Sequence, residues 1–258
     1  MAHFRAGFEN MQDFFTGLQF LTRIRITRQQ EWSAENFGRS VKYFPLVGAV
    51  LGVLLAALYY LLQGYLPLVA RYMPVNVIAV LVVAANIFLT GGLHCDGLMD
   101  TMDGIFSGRS REKMLEIMKD SRVGANGAIA FGILLLAKWS LLLDLSPSVL
   151  PVALFAMPIL GRFSMVMAIT LFPYARPEGI GKAFAQFAGR HALLTAALFT
   201  AFFIIPLGKE AVAGWGITSL FTLIFCRYVT RLLGGLTGDV YGAVTELSEV
   251  LILLVFLF

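Results

Sequence analysis

The sequence predicts an all-α, polytopic membrane protein, and two observations lead to that fold class. Of its 258 residues, 58% are hydrophobic and only 14% are charged, a balance typical of helical membrane proteins rather than soluble domains. Apolar stretches of about 18–23 residues also recur along the chain, and roughly 20 residues are needed for a helix to cross the hydrocarbon core. The two cysteines, Cys95 and Cys226, are too few for a disulfide framework. We therefore expect one integral-membrane domain over residues 1–258.

The first 42 residues are predicted to form a cytoplasmic, interfacial segment. One side of a helix over residues 8–22 would carry Phe8, Met11, Phe15, Leu18 and Thr22. The other side would carry Glu9, Gln12, Asp13 and Thr16, and three arginines follow at Arg23, Arg25 and Arg28. Amphipathic helices of this kind lie in the plane of the membrane interface. The segment is too polar to span.

Seven further segments are long and apolar enough to cross the membrane. They cover residues 43–63, 74–91, 124–143, 149–171, 191–208, 211–229 and 240–258. Pro45, Pro74 and Pro151 lie near the starts of their segments, where a missing backbone N–H costs least. We therefore predict about seven transmembrane helices after the interfacial helix.

The basic residues are distributed unevenly among the predicted loops. Sixteen fall on the side of the N-terminus: Arg5, Arg23, Arg25, Arg28, Arg39, Lys42, Arg109, Arg111, Lys113, Lys119, Arg122, Arg176, Lys182, Arg190, Arg227 and Arg231. Only Arg71 and Lys209 fall on the other side, while Lys138 and Arg162 lie within spans. The positive-inside rule then places the N-terminus in the cytoplasm and the C-terminus outside. The net charge of +4 is assigned to topology rather than to a nucleic-acid partner, and the chain is expected in the cell (inner) membrane.

The most polar stretch lies between the second and third predicted spans, and residues 92–123 are expected to form a cytoplasmic catalytic motif. Asp96, Asp100 and Asp103 are spaced i, i+4, i+7, so on a helix they fall within about 60° of one another. Neighbouring carboxylates about 6 Å apart would repel by roughly 2–3 kcal/mol at an effective dielectric of about 20. Leu98 and Met102 make a purely solvated acidic helix a poor explanation. The pattern predicts that the three aspartates bind a divalent cation.

Magnesium suits this site better than zinc does. Cys95 lies between His94 and Asp96, but the sequence has no CxxC or HxxxH pair to complete a zinc site. Carboxylate oxygens are hard ligands, and Mg²⁺ needs only one or two of them together with substrate phosphates. His94 lies on the opposite side of the helix from the aspartates, so its expected role is a contact to substrate or to a ligand.

Several basic residues near the predicted cytoplasmic ends of the spans are candidates for binding phosphate. They are Arg109, Lys119, Arg122, Arg162 and Lys182. Topology alone is the preferred explanation for Arg111 and Lys113. An arginine near the middle of a span costs about 2.5–3.5 kcal/mol on insertion scales, so Arg162 should have a partner carboxylate or an anionic substrate.

The last predicted span carries three acids on one face. Asp239, Glu246 and Glu249 are spaced i, i+7, i+10, an arc of roughly 80°. Acids in a lipid-buried helix are functional by default, so this face should point into the bundle. Together with the aspartate triplet and the clustered bases, it favours a magnesium-dependent transfer of a phosphoryl group from a diphosphate, with a carboxylate accepting the proton of the attacking hydroxyl.

The segment GGLHCDGLMDTMDG, followed by IMKDSRVGANG, resembles the signature of the cobalamin synthases, the adenosylcobinamide-GDP ribazoletransferases. The similarity extends over nearly the whole chain through FLTRIRI, YFPLVGAVLG, PYARPEGIG and GGLTGDVYGAVTELSE. This resemblance implies that adenosylcobinamide-GDP is joined to α-ribazole or its 5′-phosphate with release of GMP and with magnesium.

Carried onto this sequence, the resemblance implies a role for each group of candidates. Asp96, Asp100 and Asp103 would hold Mg²⁺ on the diphosphate. Asp239 and Glu246 would contribute a ligand or the base, and Arg109, Arg122 and Arg162 would bind phosphates. The partners are then the corrinoid nucleotide, the ribazole and the lipid bilayer. A homo-oligomer is compatible with the sequence.

Two other functions remain open from the sequence. CDP-alcohol phosphotransferases also use aspartates clustered on a helix, but their Asp-Gly pair is followed two residues later by Ala-Arg, whereas Asp96–Gly97 is followed by Leu-Met-Asp. A divalent-cation transporter would place its acids near the bilayer midplane. Here the acids cluster beside arginines at the predicted cytoplasmic ends of the spans.

Overall fold

The computed structural model describes residues 2–26, 33–64 and 73–258, with side chains from Met11 onward. Arg28 and Arg71, like the side chains of Arg5, Phe8 and Glu9, lie outside the described residues. Twelve α-helices occur within the described residues: α1 (Ala2–Leu21), α2 (Ala34–Ser40), α3 (Phe44–Gly64), α4 (Val75–Thr90), α5 (Leu93–Phe106), α6 (Arg111–Ile117), α7 (Ala125–Asp144), α8 (Leu150–Leu171), α9 (Ile180–Phe187), α10 (Ala192–Ile204), α11 (Lys209–Leu233) and α12 (Gly238–Val255). The all-α fold class is confirmed.

The first helix exists as predicted, but part of its polar side is buried. Asp13 and Thr16 are buried, whereas Met11 on the predicted apolar side is 56% exposed. Asp13 accepts a hydrogen bond from Arg39 at 3.1 Å and lies 3.5 Å from the Lys42 ammonium. The interfacial location of this segment stays a prediction, and the burial of Asp13 was not expected from the sequence. The ion pairs of Asp13 dock α1 onto α2 and the turn that precedes α3.

Among the described residues, four helices are long and apolar enough to cross a membrane individually: the continuous stretch Ala34–Gly64, α7, α8 and α11. Two bent pairs, α4 with α5 and α9 with α10, raise the number to six if each pair is one crossing. The described residues thus contain four to six candidate spans, against about seven predicted, and they support a polytopic helical membrane protein. The helix α4 has 16 residues and α10 has 13, so each is too short to cross roughly 30 Å alone. The last helix, α12, carries three acids along its 18 residues.

The bend between α4 and α5 separates an apolar arm from the acidic one. The two helices meet at 89°. Gly91 and Gly92 form the corner with φ of 65° and 73°, a left-handed conformation that glycine adopts without the steric cost of a Cβ. The three aspartates all lie on α5, past the corner and outside the four long spans.

The helix α8 forms the centre of the molecule and packs against α3 and α12. An added Cβ at Gly48 or Gly52 of α3 would lie 2.4 or 2.5 Å from the carbonyl oxygens of Pro158 or Phe155. Such close backbone approach at small residues is typical of helix packing in membranes. On the outside, Ile129, Ile133 and Leu136 of α7 are each more than 60% exposed. Their helical spacing forms an apolar surface suited to lipid.

The crossing of α5 and α12 brings the two acidic sequences together. An added Cβ at Gly97 would lie 2.6 Å from the carbonyl oxygen of Asp239, and one at Gly242 would lie 3.0 Å from that of His94. The two backbones are therefore nearly in contact. This crossing sets the position of the site described next.

Candidate active site

A pocket of about 450 Å³ opens beside the crossing of α5 and α12. Asp96 of α5 and Asp239 of α12 line it, together with Lys119 and Arg176. The rest of the wall comes from His94, Tyr174 and the start of α9. Carboxylates and cations thus share one solvent-reaching cavity, an arrangement that can hold a metal ion and a phosphorylated ligand.

The three aspartates lie on one helix as predicted, but their surroundings differ. Asp96 is exposed to the pocket. Asp100 is half-buried, and burial together with the negative charges of Asp239 and Asp96 raises the pKa of its carboxyl to about 7. Crowded carboxylates of this kind gain stability from a bound cation. The third carboxylate close to Asp100 and Asp96 is thus Asp239 of α12.

Asp103 has partners that the sequence did not suggest. Its two carboxylate oxygens accept hydrogen bonds from the backbone N–H groups of Gly124 and Gly127, each at 2.8 Å. Gly124 is the N-cap position of α7, so Asp103 satisfies N–H groups at the start of that helix from a different helix. Its predicted role as a magnesium ligand stays a prediction. What the structure shows is a link between α5 and α7.

Arg176 lines the pocket and forms an ion pair with Asp239, although in the sequence it was assigned only to membrane topology. Its Nη2 donates to the Asp239 carboxylate at 2.7 Å and to the Met118 carbonyl at 3.2 Å. Its buried Nε has no partner among the described residues. Because Arg176 lines the pocket, its guanidinium group can also contact an anionic ligand there. The sequence feature that could have indicated a role for Arg176 at the site was its position in PYARPEG, between two prolines.

Two loops position Arg176 opposite Asp239. The N–H of Ala175 donates to the Leu236 carbonyl at 2.8 Å, and the N–H of Leu236 donates to the Pro173 carbonyl at 2.7 Å. Thr237 then caps α12, and its hydroxyl donates to Asp239 at 3.1 Å. The loop that precedes α9 is thereby fixed to the start of α12.

The basic residues that were predicted to bind phosphate are scattered over the structure. Lys119 lines the pocket, but Arg109, Arg122 and Lys182 are exposed and do not. Arg122 pairs with Asp120 at 2.5 Å, and this contact lowers the pKa of Asp120 to about 2. The Lys182 ammonium donates to the Pro177 carbonyl. The structure therefore brings only Lys119 of this group to the acidic pocket.

Glu246 and Arg162, predicted as catalytic and phosphate-binding, lie in a buried ion-pair network instead. Lys138 of α7 contacts Glu246 at 2.5 Å and Glu249 at 2.6 Å, and Arg162 of α8 pairs with Glu249. All four side chains are at most 5% exposed. The network contains two acids and two bases, so its formal charge is balanced. It joins α7, α8 and α12 behind the pocket.

Asn86 and His94 complete the surroundings of this network. Asn86 of α4 donates to Glu249 at 2.9 Å. His94 is buried, and its Nε2 has no partner among the described residues. His94 therefore lies between the network and the pocket, consistent with a contact to a ligand or to the residues that support it.

The carboxylates near the pocket fit magnesium only if oxygens of the substrate complete the coordination of the ion. Within residues 11–26, 33–64 and 73–258, no three His, Cys, Asp or Glu side chains converge closely enough to hold a metal ion by themselves. Mg²⁺ is usually bound by one or two carboxylates and completed by water and substrate phosphates. The hard, crowded oxygens of Asp96, Asp100 and Asp239 meet that requirement.

Comparison with known proteins gives a consistent result over the whole chain. The family model described as cobalamin-5-phosphate synthase matches residues 13–257. A protein of Desulfitobacterium hafniense named adenosylcobinamide-GDP ribazoletransferase is 44% identical over 95% of this chain and 96% of its own length. Proteins of the same name from Acetivibrio thermocellus and Clostridium acetobutylicum are 39% and 36% identical over 92% and 90% of this chain, and over 94% and 90% of their own lengths. No solved structure matches.

Proposed function

The chain belongs to the cobalamin-5-phosphate synthase family, and we propose that it catalyses the reaction for which its relatives are named. It transfers the adenosylcobinamide phosphate group of adenosylcobinamide-GDP to α-ribazole or its 5′-phosphate in cobalamin biosynthesis. The observation that supports this assignment is the pocket in which Asp96 and Asp239 lie beside Arg176 and Lys119. Because of the family match, we prefer this function to the two alternatives, a CDP-alcohol phosphotransferase and a divalent-cation transporter.

The transfer exchanges one phosphorus–oxygen bond for another. A ribose hydroxyl of the acceptor forms a bond to the phosphorus that carries cobinamide, the bond to the bridging oxygen breaks, and GMP leaves with that oxygen. Arg176 and Lys119, which both line the pocket, bind the phosphate oxygens and stabilise the charge that develops on them. The Asp96 carboxylate, which borders the pocket, accepts the proton of the attacking hydroxyl.

Magnesium is the proposed cofactor. Asp100 and Asp239 are the pair that would hold it, with water and the substrate's phosphate oxygens completing its coordination. When bound, the ion neutralises charge on the diphosphate and helps to hold it in line. Arg176 holds the Asp239 carboxylate at 2.7 Å and so fixes the orientation of one proposed ligand.

The protein is proposed to lie in the cell membrane. Its pocket is proposed to open to the cytoplasm. The 16-to-2 distribution of basic residues supports this orientation. Lys119 and Arg176, which lie at the pocket, belong to the basic side. Assembly into a homo-oligomer stays a prediction.

The test is release of GMP from adenosylcobinamide-GDP by the purified protein in detergent, with α-ribazole and Mg²⁺. We expect GMP to form together with a cobalamin product, and we expect a chelator to abolish both. GMP release without the acceptor would indicate hydrolysis instead. No release by folded protein with either acceptor would contradict the proposed activity.

A further inference from the structure

A second cavity, of about 510 Å³, lies on the other side of the start of α5. We call it the arginine cavity, because Arg23 and Arg25, just after α1, line it. The corner Gly91–Gly92 and Phe131 of α7 form other parts of its wall. Phe20, Leu93 and Asp96 border both this cavity and the acidic pocket. The two cavities therefore meet at Asp96.

The arginine cavity has an unbalanced positive charge. Asp96 is the one acid among its lining residues. Arg23 and Arg25 make no ion pair with any described carboxylate, whereas Arg39, Arg122 and Arg176 each do. Unpaired arginines beside a cavity are suited to bind a phosphate, because the guanidinium fork matches its oxygens.

The corner of the backbone is shaped around one of these arginines. The N–H of Arg23 donates to the Leu89 carbonyl at 2.7 Å. An added Cβ at Gly91 would lie only 2.1 Å from the Nε of Arg23. The helix α5 begins here without a side-chain cap, so N–H groups of its first turn add to the positive potential.

Part of the remaining wall is apolar, and this part bears on the class of ligand. Ile87, Met99 and Phe131 line the cavity, together with the polar side chains of Gln19, Thr22 and Thr90. Apolar side chains pack against a flat aromatic ring. A phosphate monoester joined through a sugar to an aromatic base would satisfy both parts of the wall.

We propose that the arginine cavity binds the acceptor as its 5′-phosphate, with Arg23 and Arg25 holding that phosphate and the apolar wall holding the base. The inference rests on the proposed function, because two large substrates must reach one phosphorus from different directions. The donor diphosphate occupies the acidic pocket and the acceptor enters from the arginine cavity. Its ribose then lies at Asp96, where the two cavities meet.

The test compares two acceptors, α-ribazole and α-ribazole 5′-phosphate, in wild type, Arg23→Gln, Arg25→Gln and the control Arg227→Gln. Arg227 is exposed on α11 and lines neither cavity. The readout is the ratio of kcat/KM for the phosphorylated acceptor to kcat/KM for the unphosphorylated one. Loss of a charge-assisted contact should lower this ratio about tenfold or more in Arg25→Gln. Arg227→Gln should keep the wild-type ratio.

A ratio unchanged in both Arg23→Gln and Arg25→Gln would overturn the proposal. If wild type shows no turnover, the proposed function fails, and calorimetric binding of α-ribazole 5′-phosphate alone still tests the cavity. Weaker binding to Arg25→Gln than to Arg227→Gln supports the site, and equal binding overturns it. A lipid headgroup carries the same phosphate chemistry. Binding of phosphatidylglycerol that needs Arg25, with no binding of the acceptor phosphate, would assign the cavity to lipid and overturn the proposal.

Discussion

At the scale of single residues, Asp100 is the carboxyl whose charge state bears most directly on the binding of a cation. Its carboxyl is half-buried beside Asp96 and Asp239, and these surroundings raise its pKa to about 7, above the ordinary value near 4. A proton and a divalent cation therefore compete for this group close to neutral pH. Protonation removes one of the charges that a cation would neutralise.

The magnesium requirement should consequently depend on pH. At pH 6 Asp100 is mostly protonated and at pH 8 it is mostly ionised, so the Mg²⁺ concentration for half-maximal GMP release should fall as pH rises. For one competing proton with this pKa the fall is about tenfold between pH 6 and pH 8. Mg²⁺ titrations at pH 6, 7 and 8 measure it. A half-maximal concentration that is constant, or that rises with pH, would contradict this role for Asp100.

At the scale of helices, the contact between α5 and α12 holds the site together. Gly97→Ala would place a methyl group 2.6 Å from the carbonyl oxygen of Asp239, a backbone atom that cannot move without shifting α12. We expect a loss of about 1–3 kcal/mol in stability and a clear loss of turnover. Thermal unfolding in detergent and GMP release measure the two effects.

The matched control for that change is Gly132→Ala. Gly132 lies inside α7, and an added Cβ there meets nothing within 4 Å. Alanine in a helix interior should be neutral or slightly stabilising. Equal behaviour of the Gly97→Ala and Gly132→Ala proteins would show that the crossing does not constrain the site.

The buried ion-pair network makes a second prediction at this scale. Lys138→Met leaves Glu246 and Glu249 with one cation between them, and breaking a buried pair typically costs about 3–5 kcal/mol. The protein should unfold at a markedly lower temperature in detergent. The double variant Lys138→Met with Glu246→Gln restores the balance of charge and should recover part of the loss. Full stability of Lys138→Met alone would show that the network contributes little.

At the scale of the whole molecule, the distribution of charge predicts the orientation in the membrane. Ser107 lies just after the acidic helix α5, and Gly208 lies just before α11. In intact cells a thiol reagent that cannot cross membranes should label Gly208→Cys and leave Ser107→Cys unlabelled. Permeabilised cells provide the control for reactivity. The reverse pattern of labelling would place the acidic pocket outside the cytoplasm.

Helices were predictable because they depend on residues close together in the chain. The i, i+4, i+7 spacing placed Asp96, Asp100 and Asp103 on one helix, and α5 confirms this. The number of spans was not predictable in the same way. From its hydropathy, the segment that contains α4 was predicted to be a full span. In the structure, the corner at Gly91 and Gly92 ends α4 after 16 residues.

The partner of each acid could not be predicted, because partners are distant in sequence. Asp103 accepts a hydrogen bond from Gly124, which is 21 residues away in the sequence. Arg176 and Asp239 are separated by 63 residues, and Lys138 and Glu246 by 108. Residue type and spacing marked all these acids as functional candidates. Only the packing of α5, α7 and α12 separates pocket-lining Asp239 from buried Glu246.

The measurement that tests the central claim most directly is GMP release by Asp100→Asn beside Asp120→Asn. Both changes remove one carboxylate of the predicted catalytic motif. Asp100 lies in the crowded acidic site, whereas Asp120 pairs with the exposed Arg122 away from the pocket. We expect the rate of GMP release to fall about a hundredfold or more in Asp100→Asn and to stay near the wild-type rate in Asp120→Asn. Wild-type turnover by a folded Asp100→Asn protein would show that the active site lies elsewhere.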